Sequence, residues 1–336
     1  MQRHILVPLD GSELAETVLP HAIALAQATG SMLAVLLVVA DPPTELLLWS
    51  GNISGAHGMS YGEEAEITRA YLEHVAARVQ ATGVAVRTDV LEGDPATRIV
   101  ARAGRSPGTD LIAMATHGRS GLDRWIFGSV AEKVLHATPI PLLLVRGTTP
   151  SEDCEPVNYR TILVALDGSR FAEQALDEAK PVAAATGATL VLMSAIEAPP
   201  PELMDLSDTS CAEAGIIPLW TLADRQAEVE RITSYLAQME VRLTREGLQV
   251  RRELAYGKPA DAILTVAHEQ QADLLVLATH GRTGMERLWL GSVALSVLHG
   301  AERPVLLVRA TERAQQRAKR ETNIRVPEAV EHLQHA

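Results

Sequence analysis

Aromatic residues make up only 3% of this 336-residue chain. Its cores must therefore be aliphatic, built of Leu, Val, Ile and Ala. Cysteine is nearly absent. Cys154 and Cys211 stand alone in unlike contexts, which argues against a disulfide framework and fits a reducing compartment. The longest apolar run, Met32 to Ala40, is far too short to span a bilayer. The opening MQRHILVPLD enters a strand-like segment without a leader-like architecture. A soluble cytoplasmic chain with no membrane partner is expected. Positive charge is in deficit, with a formal net charge of -12. Broad nucleic-acid binding needs a basic face, so no nucleic-acid partner is expected.

Several motifs are missing too. There is no GxxxxGK[ST] phosphate loop, no GxGxxG dinucleotide fingerprint and no GxSxG nucleophile elbow. No CxxC or HExxH supplies metal-ligand spacing. No carboxylate–lysine–metal set suits fast phosphoryl transfer, so no catalytic residue is nominated.

What is present is present twice. Ala115 to His136 reads ATHGRSGLDRWIFGSVAEKVLH, and Ala278 to His299 reads ATHGRTGMERLWLGSVALSVLH; 14 of these 22 positions are identical without gaps. A repeat this widely spaced means two copies of a domain rather than a solenoid of small units, and the length agrees. The first domain takes residues 1–147, and a polar linker 148–158. The second takes 159–310, and a polar tail 311–336.

Each half alternates short apolar runs with helical periodicity. In the first, strands are expected at His4–Leu9, Leu33–Val39, Val84–Leu91, Leu111–Ala115 and Leu142–Arg146. Helices fall at Ser12–Gly30 with a kink at Pro20, then Glu63–Thr82, Pro95–Arg105 and Ser129–Ala137. In the second, strands are expected at Thr161–Leu166, Thr189–Ile196, Val250–Ala255, Leu274–Ala278 and Val305–Arg309. Its helices would be Arg170–Thr186, Leu219–Glu246, Pro259–Gln270 and Ser292–Gly300. Such alternation gives an α/β fold, a doubly wound parallel sheet with helices on both faces.

Two motifs carry the chemistry. The first strand of each half ends in Leu9-Asp10-Gly11-Ser12 or Leu166-Asp167-Gly168-Ser169. In doubly wound sheets ligands sit beyond the carboxyl ends of the strands, so Asp10 and Asp167 either face a ligand's donors or simply shape a turn. The second motif is Gly118, nine residues, then Gly128-Ser129, repeated as Gly281, nine residues, Gly291-Ser292. Glycine lets backbone approach a bulky anion, and a helix start offers N–H groups to it. This reads as a phosphate cradle, with Arg119 and Arg282 placed to neutralise charge. The alternative is a loop and a helix start with no ligand. His117 and His280 read as loop residues. Gly93-Asp94-Pro95 and Gly257-Lys258-Pro259 read as turns that start helices.

These residues together resemble the universal stress protein family. VPLDGS, THGRSGL…FGSVAEKVL and the last strand carry the likeness, which covers nearly all of both halves. The resemblance implies a five-stranded, Rossmann-like sheet of order 3-2-1-4-5 in each half. One branch binds ATP through Gly, two residues, Gly, nine residues, then Gly-Ser. Here Ala115 and Ala278 replace the first glycine. The resemblance implies ATP, with Mg²⁺, as cofactor and an adenine nucleotide as partner. It places adenine against Asp10 and about Val39 in the first half, and against Asp167 and Ala195 or Ile196 in the second. Phosphates would meet Gly118, Gly128, Ser129 and Val130, or Gly281, Gly291, Ser292 and Val293. Family members pair last strands, so an intramolecular pseudo-dimer joining Leu142–Arg146 to Val305–Arg309 is expected, and a homodimer is compatible with it. A regulatory nucleotide binder in stress response is the leading reading. The alternatives are a scaffold of the same fold without nucleotide and an enzyme of the related adenine-nucleotide superfamily.

Overall fold

The first strand is apolar on both faces because helices cover it on both sides. In the computed structural model of the protein, Ile5, Leu6, Val7 and Leu9 are all buried. The structure describes residues 3–39, 61–105, 109–116, 128–146, 156–197, 222–279 and 290–309. Residues 40–60, most of the linker and the tail lie outside the described residues.

The first half runs β1 (His4–Leu9), α1 (Glu13–Glu16), α2 (Leu19–Thr29), β2 (Met32–Val39), α3 (Tyr61–Ala81), β3 (Val86–Glu92), α4 (Pro95–Arg105), β4 (Thr109–Ala115), α5 (Ser129–Ala137) and β5 (Leu142–Val145). The second runs β6 (Thr161–Ala165), α6 (Arg170–Thr186), β7 (Thr189–Ile196), α7 (Leu222–Arg245), β8 (Gln249–Tyr256), α8 (Pro259–Glu269), β9 (Leu274–Ala278), α9 (Ser292–Gly300) and β10 (Val305–Val308).

The strands form one ten-stranded sheet of order β3-β2-β1-β4-β5-β10-β9-β6-β7-β8. Each half has the order 3-2-1-4-5, parallel throughout. The halves meet where β10 runs antiparallel to β5, with Leu306 opposite Leu143. Leu142, Leu143, Leu144, Leu306 and Leu307 are buried along this seam. Left open, either strand would be an apolar edge ready to pair with another chain. The expected intramolecular pairing of last strands is what the chain adopts.

Alternate residues of each strand face opposite layers. Val7, Val35 and Val164 pack with α2, α3, α6 and α7. Leu6, Leu36 and Leu163 pack with α4, α5, α8 and α9. On the first face, α2 of one half rests on α6 of the other.

One expected helix is two. The run Ser12–Gly30 breaks between Glu16 and Leu19, and Pro20 falls in the first turn of α2. Proline has no N–H for the ladder, and its ring collides with the carbonyl four residues back, so it begins a helix here rather than kinking one. Gly30 closes α2 in the left-handed region at φ 64°, as expected. Other boundaries shift by a residue or two. For example, β3 starts at Val86 rather than Val84, and β4 starts at Thr109 rather than Leu111.

Candidate functional site

In each half the turn after the first strand is set by local hydrogen bonds. Asp10 Oδ1 accepts from the Ser12 N–H at 3.0 Å and from the Ser12 hydroxyl at 2.6 Å. Ser12 Oγ in turn accepts from the Ala15 N–H at 3.1 Å and caps α1. The second half repeats this: Asp167 Oδ1 accepts from the Ser169 N–H at 2.9 Å, and Ser169 Oγ caps α6 through the Ala172 N–H at 3.1 Å. Gly11 and Gly168 supply φ of 81° and 82°, which a side chain would strain. Both readings of the aspartate therefore coexist. One carboxylate oxygen holds an Asx turn, and that turn fixes where the carboxylate stands, at the end of the strand where sheet order reverses between β1 and β4.

The ends of β4 and β9 are tied to the next helix in the same way. The Thr116 N–H donates to Val145 O at 2.8 Å, and Thr116 O accepts from the Gly128 N–H at 2.8 Å. Thr279 does the same between Val308 and Gly291, at 3.0 and 2.9 Å. Both threonines are buried. A Cβ on Gly291 would lie 2.8 Å from Thr279 O. The glycine is thus demanded by the backbone itself, and its N–H is already committed. The helix ladder starts with Glu132 N–H to Gly128 O and Leu295 N–H to Gly291 O. That leaves the N–H groups of Ser129, Val130 and Ala131, and of Ser292, Val293 and Ala294, ahead of the ladder. Ser129, Ser292 and Val293 are exposed, so the first turn of each helix is open to a ligand.

The third corner is the end of the second strand. Val39 O accepts from the Gly93 N–H at 3.0 Å, and Ile196 O accepts from the Gly257 N–H at 2.9 Å. These matched contacts make Ile196 the counterpart of Val39, and Ala195 the counterpart of Val38. Gly93 and Gly257 turn at φ 122° and 115°, and Pro259 opens α8. Ala115 is buried at the end of β4, and Ala278 stands half-buried at the end of β9.

Asp10, Val39, Ala115, Gly128, Ser129 and Val130 thus gather at the carboxyl ends of β1, β2 and β4. Asp167, Ile196, Ala278, Gly291, Ser292 and Val293 do so in the second half. Gly118, Arg119, Gly281, Arg282, His117 and His280 lie outside the described residues. Among the described residues, no group of three or more His, Cys, Asp or Glu could hold a metal ion, and no helix is long and apolar enough to cross a membrane.

A second constellation, not singled out by sequence, stands beside each aspartate. Arg78 Nη1 pairs with Glu16 Oε2 at 2.5 Å, and Tyr71 packs on the core beside them. In the second half Arg242 Nη1 lies 3.7 Å from Glu173 Oε2, and the Tyr235 hydroxyl donates to Glu173 Oε1 at 3.4 Å. Burial, then the Glu16 and Asp10 charges, push the Tyr71 hydroxyl pKa far up. Burial, Glu173 and Asp167 do the same to Tyr235. The signal was available, since Tyr, Leu, Arg and Gly recur at 71, 72, 78, 83 and at 235, 236, 242, 247. The contact with Glu16 and Glu173 across helices was not.

The model of the Universal stress protein family matches residues 1–146 and again 158–309. The chain belongs to the universal stress protein family. A universal stress protein of Thermus aquaticus is 35% identical over 151 residues, 45% of this chain and 99% of that protein. One from Mycolicibacterium smegmatis is 26% identical over 229 residues, 68% of this chain and 70% of the relative. The crystal structure of a universal stress protein from Archaeoglobus fulgidus superposes with a TM-score of 0.62 at 23% identity, covering 92% of this chain and 97% of that one. That likeness extends the family's α/β fold over both halves.

Proposed function

We propose that each half of this universal stress protein holds one adenine nucleotide, ATP with Mg²⁺, and that the chain acts as a nucleotide-dependent regulator in stress response. One observation carries the reading. In both halves, an aspartate fixed by an Asx turn stands at the sheet's order reversal, near a helix start whose first N–H groups the ladder does not use. Asp10 and Asp167 accept from the adenine amino group. The carbonyl ends of β2 and β7, at Val39 and Ile196, border the base. The first turns of α5 and α9 meet the phosphates, and Arg119 and Arg282 add charge. Mg²⁺ travels with the triphosphate rather than in a cluster of protein ligands. No described residue has the setting of a general base, so any hydrolysis is slow.

A scaffold without nucleotide is the second reading. The close contact of Gly291 with Thr279 favours it, since that glycine is needed with or without phosphate. Chromatography of nucleotide released from freshly purified protein separates the two. About two adenine nucleotides per chain supports both sites. A Gly118→Leu/Gly281→Leu variant that keeps the full affinity for Mg-ATP overturns the assignment.

A further inference from the structure

We propose that the two sites are built for ligands of different charge: the second half is the polyphosphate site, and the first half binds chiefly through the adenine base. The proposal rests on the adenine-nucleotide reading above and names which half takes the triphosphate.

Turn glycines and helix starts align the two halves residue by residue. At three positions around the cleft the charge then changes in one direction. Glu13 follows the Asp10-Gly11-Ser12 turn, and Arg170 follows Asp167-Gly168-Ser169. Ile67 on α3 corresponds to Arg231 on α7, whose Nη1 lies 3.3 Å from where a Cβ on Gly168 would stand. Asp94 follows Gly93, and Lys258 follows Gly257, the residue whose N–H meets Ile196 O. The helices at the phosphate end change in the same sense. Glu132 lies in the first turn of α5, whereas the first turn of α9 holds no acid.

Three neighbours change in the opposite sense: Thr97 becomes Asp261, Arg98 becomes Ala262 and Lys133 becomes Ser296. Both of those first-half cations are already engaged. Lys133 Nζ lies 3.5 Å from Asp94 Oδ1, and Arg98 Nε donates to Glu92 O at 2.6 Å. In the second half Arg231 Nη2 lies 3.5 Å from Glu228 Oε1. Among the described residues, neither Arg170 nor Lys258 has an ion pair.

The second half gathers these cations against its own folding preferences. Helix N-termini favour acids and disfavour cations, and lysine is a poor N-cap. The first half follows that rule. Asp94 Oδ2 accepts from the Thr97 N–H at 2.9 Å and from the Thr97 hydroxyl at 2.8 Å, and Glu13 opens α1. The second half breaks it twice. Arg170 opens α6, and Lys258 stands at the N-cap of α8 without a capping hydrogen bond. In a chain of net charge -12, drift at exposed positions gives no reason to collect three cations around one cleft. Departures from local folding rules concentrate at functional sites. Cations rimming a cleft raise its potential and draw in a polyanion. A triphosphate gains from that field, and an uncharged nucleoside does not.

Single-site proteins read each half separately. Gly281→Leu leaves the first site and Gly118→Leu the second, with stoichiometry followed by equilibrium dialysis. Affinities for Mg-ATP and for adenosine are measured by competition against a fluorescent adenine nucleotide. The ratio of Mg-ATP to adenosine affinity is expected to be about tenfold larger in the second half than in the first. In the second-site protein, Arg170→Glu/Arg231→Ile/Lys258→Asp installs the residues of the first half at three exposed positions. It returns acids to two helix starts, so the fold is kept. This graft is expected to weaken Mg-ATP about tenfold, leave adenosine within about twofold and flatten the fall of ATP affinity with salt. Equal ratios in the two halves overturn the proposal, and so does a graft that weakens both ligands alike. If the unaltered chain binds neither ligand, the adenine-nucleotide reading itself fails and takes this proposal with it. That outcome is distinct from binding without a difference in ratio.

Discussion

His21 Nδ1 lies 2.9 Å from the Tyr159 hydroxyl, and the two residues belong to different halves of the chain. Tyr159 is 1% exposed and packs into the core just before β6. Burial pulls the His21 pKa down to about 4, so the imidazole is neutral near pH 7 and shares one hydrogen with the Tyr159 hydroxyl. The backbone follows the same path, with the Val157 N–H donating to Pro20 O at 3.3 Å. By the repeat, His21 corresponds to Glu178 on α6, which faces Arg3 of the first half at 4.0 Å. The two pseudo-symmetric joints of α2 and α6 are therefore chemically different, one a neutral hydrogen bond, the other a half-buried, long ion pair of small expected value.

The neutral joint makes stability depend on pH in a defined window. The unfolded histidine titrates near 6.5 and the folded one near 4, so between those values the unfolded chain binds more protons and stability rises with pH. The His21 contribution is complete above about pH 6.5, is lost as the pH falls towards 4, and changes no further below that. With a partly exposed ring edge, the loss is about 2 kcal/mol. Urea unfolding of the protein and of His21→Gln at pH 7 and pH 4.5 isolates it. The unaltered chain loses that much more than the variant on acidification. Equal losses would remove the assignment.

Tyr159→Phe probes the same joint from the other side. It removes a hydroxyl whose pKa burial has pushed far up, and it leaves the His21 nitrogen without its hydrogen-bond partner. The expected cost is about 1–2 kcal/mol. The pH dependence should persist, because burial rather than the hydrogen bond lowers the histidine pKa. A melting temperature unchanged within error at pH 7 would show that the bond carries no net stability.

Gly291 offers a test of packing without ligand. Adding a Cβ puts carbon 2.8 Å from the Thr279 carbonyl oxygen, and both partners are backbone held by hydrogen bonds on either side. Gly291→Ala is therefore expected to destabilise by about 2–3 kcal/mol in nucleotide-free protein, as overpacking does. Thermal melting with and without Mg-ATP checks it. A loss seen only with nucleotide present would return the glycine to a purely phosphate-binding role.

The architecture was legible because each half repeats an alternation of apolar runs and helical periods, and strands buried on both faces leave few other solutions. Asp10, Asp167 and the glycine–serine helix starts were legible because turn and cap chemistry is local. What escaped the sequence is what depends on distant partners. Pro20 does not reveal whether it kinks a helix or begins one, since that turns on how Glu16 and Leu19 pack. The Gly128 and Gly291 N–H groups, expected to be open, are taken by Thr116 and Thr279, whose positions follow from strand register. That Ile196 rather than Ala195 stands in register with Val39 came only from the matching contacts of Gly257 and Gly93. Tyr159 gave no signal at all, because a lone tyrosine at the very start of the second domain reads as solvated until α2 covers it.

Arg309 shows how the seam between halves is locked beyond its strand pairing. Its Nη2 donates to Leu135 O at 2.7 Å and His136 O at 3.1 Å, near the end of α5 in the other half. These carbonyls lack partners further along the helix, and a cation there also meets the negative end of the helix dipole. Burial lowers the Arg309 pKa, so the guanidinium is taken partly out of water and needs those acceptors. Arg309→Met keeps much of the stem and removes the charge. It is expected to cost about 1–2 kcal/mol and to speed hydrogen exchange in the last turn of α5 more than in α9. The location of the effect decides the matter. Faster exchange confined to β10 would mean that Arg309 serves its own strand. Faster exchange at Leu135–Ala137 would mean that one half caps a helix of the other.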